Sequence, residues 1–444
     1  MKRKWFWSVL LLSGLCTAAF PAPPADFPEG IRLKPDGSFL FGDGEFIIQN
    51  YNAGWSPAGN SSWKNRSSRT DAGSWSLSAT MPVDGNNGNV SESLRPSGPR
   101  TFELSASVKF DPPARINALH GAFYFPAVAT TLTIDGKPFE LPAEYREHHL
   151  LPDGRGSSIT IPLAGGRKLT ISAPRPFRFT IQDHRKYGTP SFSIRLPFTK
   201  SSGEIADSSL ALQFRAESVT AQPVSLRTVA NRGFADRPGA RVRGWSAQGL
   251  ENDLASFRPV PLTFEALKFE IIDPAANDGK SAVVIGGKER SDVPQEITVD
   301  LPAGAPAGAI NLLHATAWSP QAGKPVGEIV VRYADGSEQT IPIRSRVDVN
   351  DWWNPVALAN AWPLWQGEND SARIGLYASS YPLTGRAPRS ATLRVTDNRA
   401  LWMIPAITLT GEPVRFAVTE DKEWKLAAGK EWIPVEFRRD TVRG

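Results

Sequence analysis

The chain has 444 residues, of which 21% are charged, and its formal net charge is +5 at pH 7. Three of these five charges belong to Lys2, Arg3 and Lys4, so the rest of the chain carries +2, and its other Lys and Arg residues are dispersed. The pattern excludes a basic stripe along a phosphate backbone, and nucleic acid is not an expected partner. Cys16 is the only cysteine, which excludes a disulfide framework, and the length suits two or three domains.

Residues 1–22 are predicted to be a signal peptide, because a basic start is followed by an uncharged apolar run and then by small residues and proline. The run is shorter than the ~20 residues that span a bilayer, and no later segment is long enough. Leu15 stands where lipid attachment at Cys16 would need a small residue. We therefore expect an exported protein, periplasmic or extracellular in a bacterium, with no membrane span in the mature chain.

Residues 26–220 are predicted to form a first antiparallel β-sandwich. Alternation from Phe102 to Phe110 places Phe102, Leu104, Ala106, Val108 and Phe110 on one face of a strand. Turn signals at 135–138 and 164–167 separate further short strands. The segment 59–98, rich in Ser, Asn and Gly, favours a long surface loop, with weak edge strands as the alternative.

Residues 221–420 are predicted to form a second sandwich. Its clearest signal is Asp335-Gly336 between two apolar runs, a pair that supplies the positive φ angles of a hairpin turn. The tail, 421–444, is a candidate for one final strand. The predicted fold class is therefore all-β, with two antiparallel, jelly-roll-like β-sandwich domains in tandem after the signal peptide.

Four tryptophans near an aspartate are the predicted ligand-binding residues. Indole rings stack on the C–H faces of sugars while polar neighbours take the hydroxyls. The set comprises Asp351, Trp352, Trp353, Trp362 and Trp365. Core packing is the competing interpretation. Neighbouring residues of a strand point to opposite sides, so one of Trp352 and Trp353 is expected in the core.

Candidates for acid–base chemistry are weaker. Asp183 adjoins His184 after a predicted strand, and Glu144 and Glu147 lie in a second polar segment. Adjacent residues of a strand diverge in space, so adjacency alone does not assemble a site. His314 is interpreted as a hydrogen-bonded core histidine. The sequence contains no H-E-x-x-H, C-x-x-C or G-x-S-x-G motif.

Oxygen-bearing side chains gather at the start of the second domain, at Asn231, Asp236, Asn252 and Asp253. Calcium binds six to eight oxygen ligands, many of them from loops, so these residues are metal candidates. Asx turns explain the same residues. No cofactor is firmly predicted, and a structural calcium ion is left open.

An ordered set of segments lies within residues 224–411 and includes 230–236 (ANRGFAD), 244–245 (GW), 251–254 (ENDL), 331–337 (VRYADGS), 351–353 (DWW) and 374–377 (IGLY). This set resembles the galactose-binding-like β-sandwich, or carbohydrate-binding-module-like, domain of secreted bacterial glycoside hydrolases. The resemblance implies a domain that binds or positions glycans without cleaving them. It also implies a separate glycoside hydrolase as partner protein.

Three functional hypotheses follow. The first is a secreted, non-catalytic accessory protein that binds polysaccharide or oligosaccharide by aromatic stacking. The second is a glycoside hydrolase or polysaccharide lyase with acidic residues in a cleft between the two domains, for which a carboxylate pair ~5–10 Å apart is required in hydrolases. The third is a structural exported module whose tryptophans are buried.

Overall fold

The computed structural model describes residues 27–416, except 72, 129 and 237–241, and the backbone of 424–428 and 431–435. Strands make up 59% and helices 4%, so the all-β prediction is confirmed. The predicted signal peptide lies outside the described residues. Among those residues, no helix has the length and apolar character that crossing a membrane requires. The helices are short 3-10 turns: η1 (Asn60–Ser62), η2 (Ala164–Gly166), η3 (His184–Tyr187), η4 (Leu250–Asn252) and η5 (Pro274–Ala276).

The first half of the chain forms one continuous 14-stranded antiparallel sheet. Its strands are β1 (Ile31–Leu33), β2 (Phe39–Phe41), β3 (Gly44–Asn52), β4 (Pro57–Gly59), β5 (Lys64–Asp71), β6 (Ser74–Val83), β7 (Asn86–Gly98), β8 (Thr101–Pro126), β9 (Thr130–Ile134), β10 (Lys137–Leu141), β11 (His149–Pro162), β12 (Arg167–Asp183), β13 (Ser191–Pro197) and β14 (Gly203–Ser218). We call this part the first domain.

Three long strands and the shorter β13 close this sheet into a barrel-like ring, which differs from the predicted sandwich of two separate sheets. Strand β8 pairs with β14, β14 with β12, β12 with β13, and β13 again with β8. Near the middle of β8, Pro112 and Pro113 have no N–H to donate, and the ladder with β14 shifts register there. The five alternating residues from Phe102 to Phe110 all lie in the core, as predicted.

The segment 59–98 contains strands β5, β6 and β7, so the prediction of a long surface loop is wrong. Alternate residues of β6, including Trp75, Leu77 and Met81, are buried in the core of the first domain. In contrast, β5 is exposed along its whole length. The polar composition of the segment therefore reflects an outer hairpin that has one apolar side.

The second half of the chain, the second domain, contains a six-stranded and a four-stranded antiparallel sheet and a small hairpin. The six-stranded sheet consists of β15 (Ala221–Val224), β18 (Val283–Gly286), β20 (Ala309–Ala317), β23 (Ala361–Glu368), β24 (Arg373–Pro382) and β26 (Leu401–Thr410). The four-stranded sheet consists of β19 (Glu296–Asp300), β21 (Pro325–Tyr333), β22 (Glu338–Arg344) and β25 (Pro388–Val395). The hairpin consists of β16 (Leu262–Phe264) and β17 (Leu267–Phe269).

The six-stranded sheet is covered on both faces. One apolar cluster, with Ile310, Ile329 and Trp402, joins it to the four-stranded sheet. A second cluster, with Trp245 and Trp352, joins its other face to the irregular segments that precede β18 and β23. All nine residues of β20 are consequently buried.

The predicted hairpin at Asp335-Gly336 is present between β21 and β22, with Gly336 at φ +85. In the tail, where one final strand was predicted, the described backbone forms a two-stranded hairpin of β27 (Trp424–Ala428) and β28 (Glu431–Val435).

The turn between β11 and β12 joins the two domains. Ala164 belongs to an apolar cluster of the second domain, and the Gly165 N–H donates to the Arg415 carbonyl over 3.0 Å. Arg415 also forms an ion pair with Asp43 of the first domain at 2.7 Å. The domains therefore share both apolar contacts and hydrogen bonds at this turn.

Candidate functional site

One surface of the first domain has an unusual concentration of aromatic and polar side chains. Strand pairing places Gln49 of β3 beside His120 of β8, and Tyr124 of β8 beside Ser193 of β13. The alternate residues of the same strands, such as Phe46 and Phe123, point into the core. We call this surface the polar face; it comprises Gln49, Tyr51, His120, Tyr124, Gln182, His184, Ser193 and Arg195.

Arg195 lies at the centre of the polar face. Its Nη2 donates to the Tyr51 hydroxyl over 2.9 Å, and its guanidinium lies 5.3 Å from the centre of the Tyr51 ring. The same ring stacks on His120, with ring centres 6.0 Å apart. The Tyr124 hydroxyl, which also contacts Arg195, donates to Gln49 Oε1 over 2.9 Å. Two phenols thus contact one guanidinium, and an amide and an imidazole contact those phenols in turn.

Several buried polar atoms of this face have no partner among the described residues. They are His120 Nε2, Gln182 Oε1 and Arg195 Nε. His120 and Gln182 are each only 5% exposed. Buried polar groups are normally hydrogen-bonded, so these three atoms are exceptions within the described residues.

Two histidines of the face are neutral at pH 7. Burial lowers the pKa of His120 well below its usual range, and the charge of Arg195 lowers it further. The pKa of His184 is lowered to about 4, again first by burial and then by Arg195. His184 Nε2 lies 2.7 Å from Ser193 Oγ, and its ring lies 5.2 Å from that of Tyr124. Positive charge on this face is therefore concentrated at Arg195.

Exposed aromatic residues surround the polar face. Trp55, in the turn after β3, is 64% exposed, and its ring centre lies 6.0 Å from that of Tyr51. On the other side, Tyr187 is 63% exposed and contacts the His148 ring edge to face at 5.1 Å. The flat surfaces that stack on sugars thus occur beside hydrogen-bonding groups.

The structure brings only one of the four predicted catalytic residues, His184, onto this face. Asp183 is fully buried; it accepts from the Arg185 N–H at 3.0 Å and pairs with the Arg185 guanidinium at 2.6 Å. Arg185 also donates to the carbonyls of residues 142 and 143, which fixes the following loop. Glu144 and Glu147 of that loop are exposed. Asp183 therefore stabilises the η3 turn.

The predicted tryptophan platform is wrong for Trp352, which is 2% exposed and packs edge to face against Trp245 at 5.0 Å. A ring without an accessible face cannot stack on a sugar. Trp353, Trp362 and Trp365 are half-buried and pack against the same core. A ligand-binding role for these three stays a prediction.

The Asp351 carboxylate is also engaged, in hydrogen bonds with backbone N–H groups. Its carboxylate accepts from the Trp353 N–H at 3.1 Å and from the Trp318 N–H, and burial raises its pKa. Trp318 borders a cavity of about 270 Å³, whose other lining residues include Arg243, Gln248 and Asp292. Arg290 lies 3.5 Å over the Trp318 ring and covers one of its faces.

Three of the four metal candidates, Asn231, Asp236 and Asp253, hold backbone groups of the second domain. Asn231 exchanges two hydrogen bonds of 2.8 Å with the backbone of Val284. Asp236 accepts from the N–H groups of residues 244 and 249, and Asp253 accepts from those of residues 236 and 255. The carbonyl oxygen of the Asn252 side chain is buried without a hydrogen-bond partner in the described part of the chain. Within that part, no group of three or more His, Cys, Asp or Glu side chains could hold a metal ion.

His314 is a hydrogen-bonded core histidine, as interpreted from the sequence. Trp402 Nε1 donates to its Nδ1 at 3.1 Å, so the proton is on Nε2, which donates to Ser379 Oγ at 2.7 Å. Ser379 then donates to the Tyr381 hydroxyl at 2.9 Å. The imidazole has no hydrogen-bonding capacity left for a ligand.

Sequence reasoning missed the residues at the centre of the polar face. The available signal was alternation in β3, where Gln49 and Tyr51 alternate with Phe46 and Ile48, and in β8, where His120 and Tyr124 alternate with apolar residues. Each strand on its own is an ordinary half-buried strand. Only the pairing of β3, β8 and β13 brings these side chains together.

No protein family and no curated protein matches this chain. Solved structures that match include a fructofuranosidase from Schwanniomyces occidentalis complexed with fructose, at 7% identity and a TM-score of 0.21, over 78% of this chain and 79% of that chain. Another is the N-terminal CBM22 tandem domain of Paenibacillus barcinonensis Xyn10C, at 8% identity and a TM-score of 0.18, over 80% and 98%. These scores are too low to support a shared fold or function, and the resemblance to a galactose-binding-like domain stays a prediction.

Proposed function

We propose that this protein is an exported, non-catalytic accessory protein that binds saccharides on the polar face of its first domain. The observation that supports the proposal is the position of two exposed aromatic rings, Trp55 and Tyr187, beside the half-buried polar side chains of that face. A saccharide presents both hydroxyl groups and flat C–H surfaces, and such a surface complements both. A separate glycoside hydrolase is the proposed partner protein.

The first domain thereby takes the binding role that the sequence assigned to the second. Trp352 is sealed in the core there, while Trp55 and Tyr187 present accessible rings on the first domain. Each stacking contact contributes about 0.5–1.5 kcal/mol beyond area burial, so removing one ring weakens binding roughly two- to tenfold.

Affinity electrophoresis in gels that contain plant or algal polysaccharides tests the proposal. We expect Trp55→Ala and Tyr187→Ala each to reduce the retardation that the unmodified protein shows. Val356→Ala, which removes an exposed apolar side chain from the second domain, serves as control and is expected to leave retardation unchanged.

Two results would contradict the proposal. The first is a lack of retardation by any saccharide in the panel, or equal retardation of the unmodified protein and a Trp55→Ala/Tyr187→Ala double variant. The second is release of reducing sugar from a polysaccharide by the purified protein, which would show that it is a hydrolase.

A further inference from the structure

Arg195 is a half-buried cation without a carboxylate partner. In the described part of the chain, no ion pair includes its guanidinium. Two other arginines of the first domain that are withdrawn from solvent are paired, the half-buried Arg185 with Asp183 at 2.6 Å and the buried Arg167 with Glu265 at 3.8 Å. A partly desolvated guanidinium that lacks a counterion is costly, and an anion from outside would offset that cost.

The surroundings of Arg195 are neutral. The imidazoles of His120 and His184 both have a lowered pKa, partly because Arg195 repels a second positive charge. Two carboxylates of this region are engaged with other cations, Glu45 with Lys34 and Asp183 with Arg185. Among the described residues, Arg195 is therefore a positive charge of this face that no carboxylate pairs with.

Other polar groups lie beside Arg195. Arg195 Nε has no partner, and its Nη2 contacts the Tyr51 hydroxyl. The buried Nε2 of His120, which also lacks a partner, lies on the ring that stacks against Tyr51. A planar guanidinium fork with further polar groups beside it matches the oxygen atoms of a carboxylate or a sulfate.

We propose that the saccharide bound on the polar face carries an anionic group, a uronate carboxylate or a sulfate ester, whose counterion is the Arg195 guanidinium. This inference rests on the proposed saccharide binding and adds the chemical class of the ligand. Stacking on the surrounding aromatic rings then positions the sugar, while Arg195 selects for its charge.

Charged and neutral forms of the same polysaccharide show whether binding depends on the anionic group or on the sugar backbone. The retardation of the protein is measured with polygalacturonate and with the same polymer after its carboxyl groups are reduced to alcohols. A sulfated galactan and its desulfated form provide the second pair. We expect binding to at least one anionic polymer, its loss with the neutral counterpart, and a decrease as salt is added.

Three variants test the role of Arg195. Arg195→Gln is expected to weaken binding to the anionic polymer roughly ten- to a hundredfold, as expected for loss of a charge-assisted hydrogen bond. Arg195→Lys keeps the charge without the fork and is expected to retain part of the affinity. Arg332→Gln is the control, since this exposed arginine pairs with Glu338 in the second domain. Circular dichroism checks that each variant is folded.

The outcomes are distinguishable. Equal binding to an anionic polymer and its neutral form, or binding that salt does not weaken, would overturn the inference and leave saccharide binding intact. Full affinity in a folded Arg195→Gln variant would also overturn it. Absence of binding to every polymer would overturn both proposals. Preference for the carboxylated or the sulfated pair identifies which anionic group is recognised.

Discussion

Two tryptophans outside the strands show how differently one residue type is used in this chain. Trp352 packs between Trp245 and the six-stranded sheet, whereas Trp55 protrudes from the turn after β3. In the sequence, the tryptophan cluster around Trp352 indicated a ligand-binding site more strongly than Trp55 did. Trp352 is buried because its neighbours cover the second face of a sheet whose first face is already occupied.

Substitution of Trp352 is expected to lower stability, whereas substitution of Trp55 is expected to weaken saccharide binding. Trp352→Ala leaves a cavity in the core and is expected to lower the free energy of unfolding by about 3–5 kcal/mol. Trp55→Ala removes an exposed ring and is expected to change it by less than about 0.5 kcal/mol, while it weakens saccharide binding. Chemical denaturation followed by fluorescence measures both, and equal stability losses in the two variants would contradict the assignment.

At the residue scale, the alternation of apolar and polar residues predicted burial correctly, whereas the local abundance of tryptophan did not predict exposed rings. The five residues from Phe102 to Phe110 were correctly assigned to the core because a half-buried strand needs only local pattern to be recognised. His314 was correctly interpreted for a similar reason, since an isolated histidine in an apolar run is usually enclosed. The environment of Arg195 depends on three strands far apart in sequence, and no local pattern encodes it.

At the scale of elements, the hairpins were predictable and the closure of the first sheet was not. Asp335-Gly336 specifies its turn through the positive φ of Gly336 and the Asp335 carboxylate, which accepts from the Ser337 N–H at 2.9 Å. The ring of β8, β14, β12 and β13, in contrast, depends on pairings such as Phe102 with Phe214, more than a hundred positions apart. The segment 59–98 was misjudged because the apolar residues of β6 were outweighed by the polar residues around them.

The turn between β11 and β12 is the element that joins the domains, and its glycines are constrained. Gly165 has φ +65, and a Cβ atom there would lie 2.2 Å from the Cβ of Glu265 in the second domain. Gly136, in the turn between β9 and β10, has φ +77 but only open space around the same position. The two positions share a left-handed backbone conformation and differ in contact with the other domain.

Gly165→Ala is therefore expected to destabilise the junction by more than the cost of placing an alanine in the left-handed conformation. Gly136→Ala is the control and is expected to cost about 1–2 kcal/mol, the cost of a left-handed conformation. Gly165→Ala adds a steric clash with Glu265, so we expect a larger loss and separate thermal transitions for the two domains. Calorimetry distinguishes these cases. A Gly165→Ala profile that matches Gly136→Ala would show that the turn does not couple the domains.

At the scale of the whole molecule, buried ionisable groups make stability depend on pH in opposing directions. Burial lowers the pKa of His314 from 6.5 to about 3. The unfolded chain therefore binds a proton that the folded protein excludes, and this contribution to stability is complete above pH ~6.5 and decreases as the pH falls. The loss from His314 amounts to roughly 2 kcal/mol at pH 5. Relative to the unmodified protein, His314→Gln is expected to have a flatter pH profile.

Glu92 acts in the opposite direction. Burial, with a contribution from Asp36, raises its pKa well above 4.5, so the folded protein keeps a proton that the unfolded chain has released. Its contribution to stability is complete below pH ~4.5 and is lost as the pH rises towards the folded pKa. Glu92→Gln replaces the protonated carboxyl by a neutral group of the same shape. We therefore expect its stability relative to the unmodified protein to increase by about 1.4 kcal/mol per pH unit above pH ~4.5. Urea unfolding at a series of pH values measures this difference, and parallel profiles would mean that Glu92 is ionised in the folded protein.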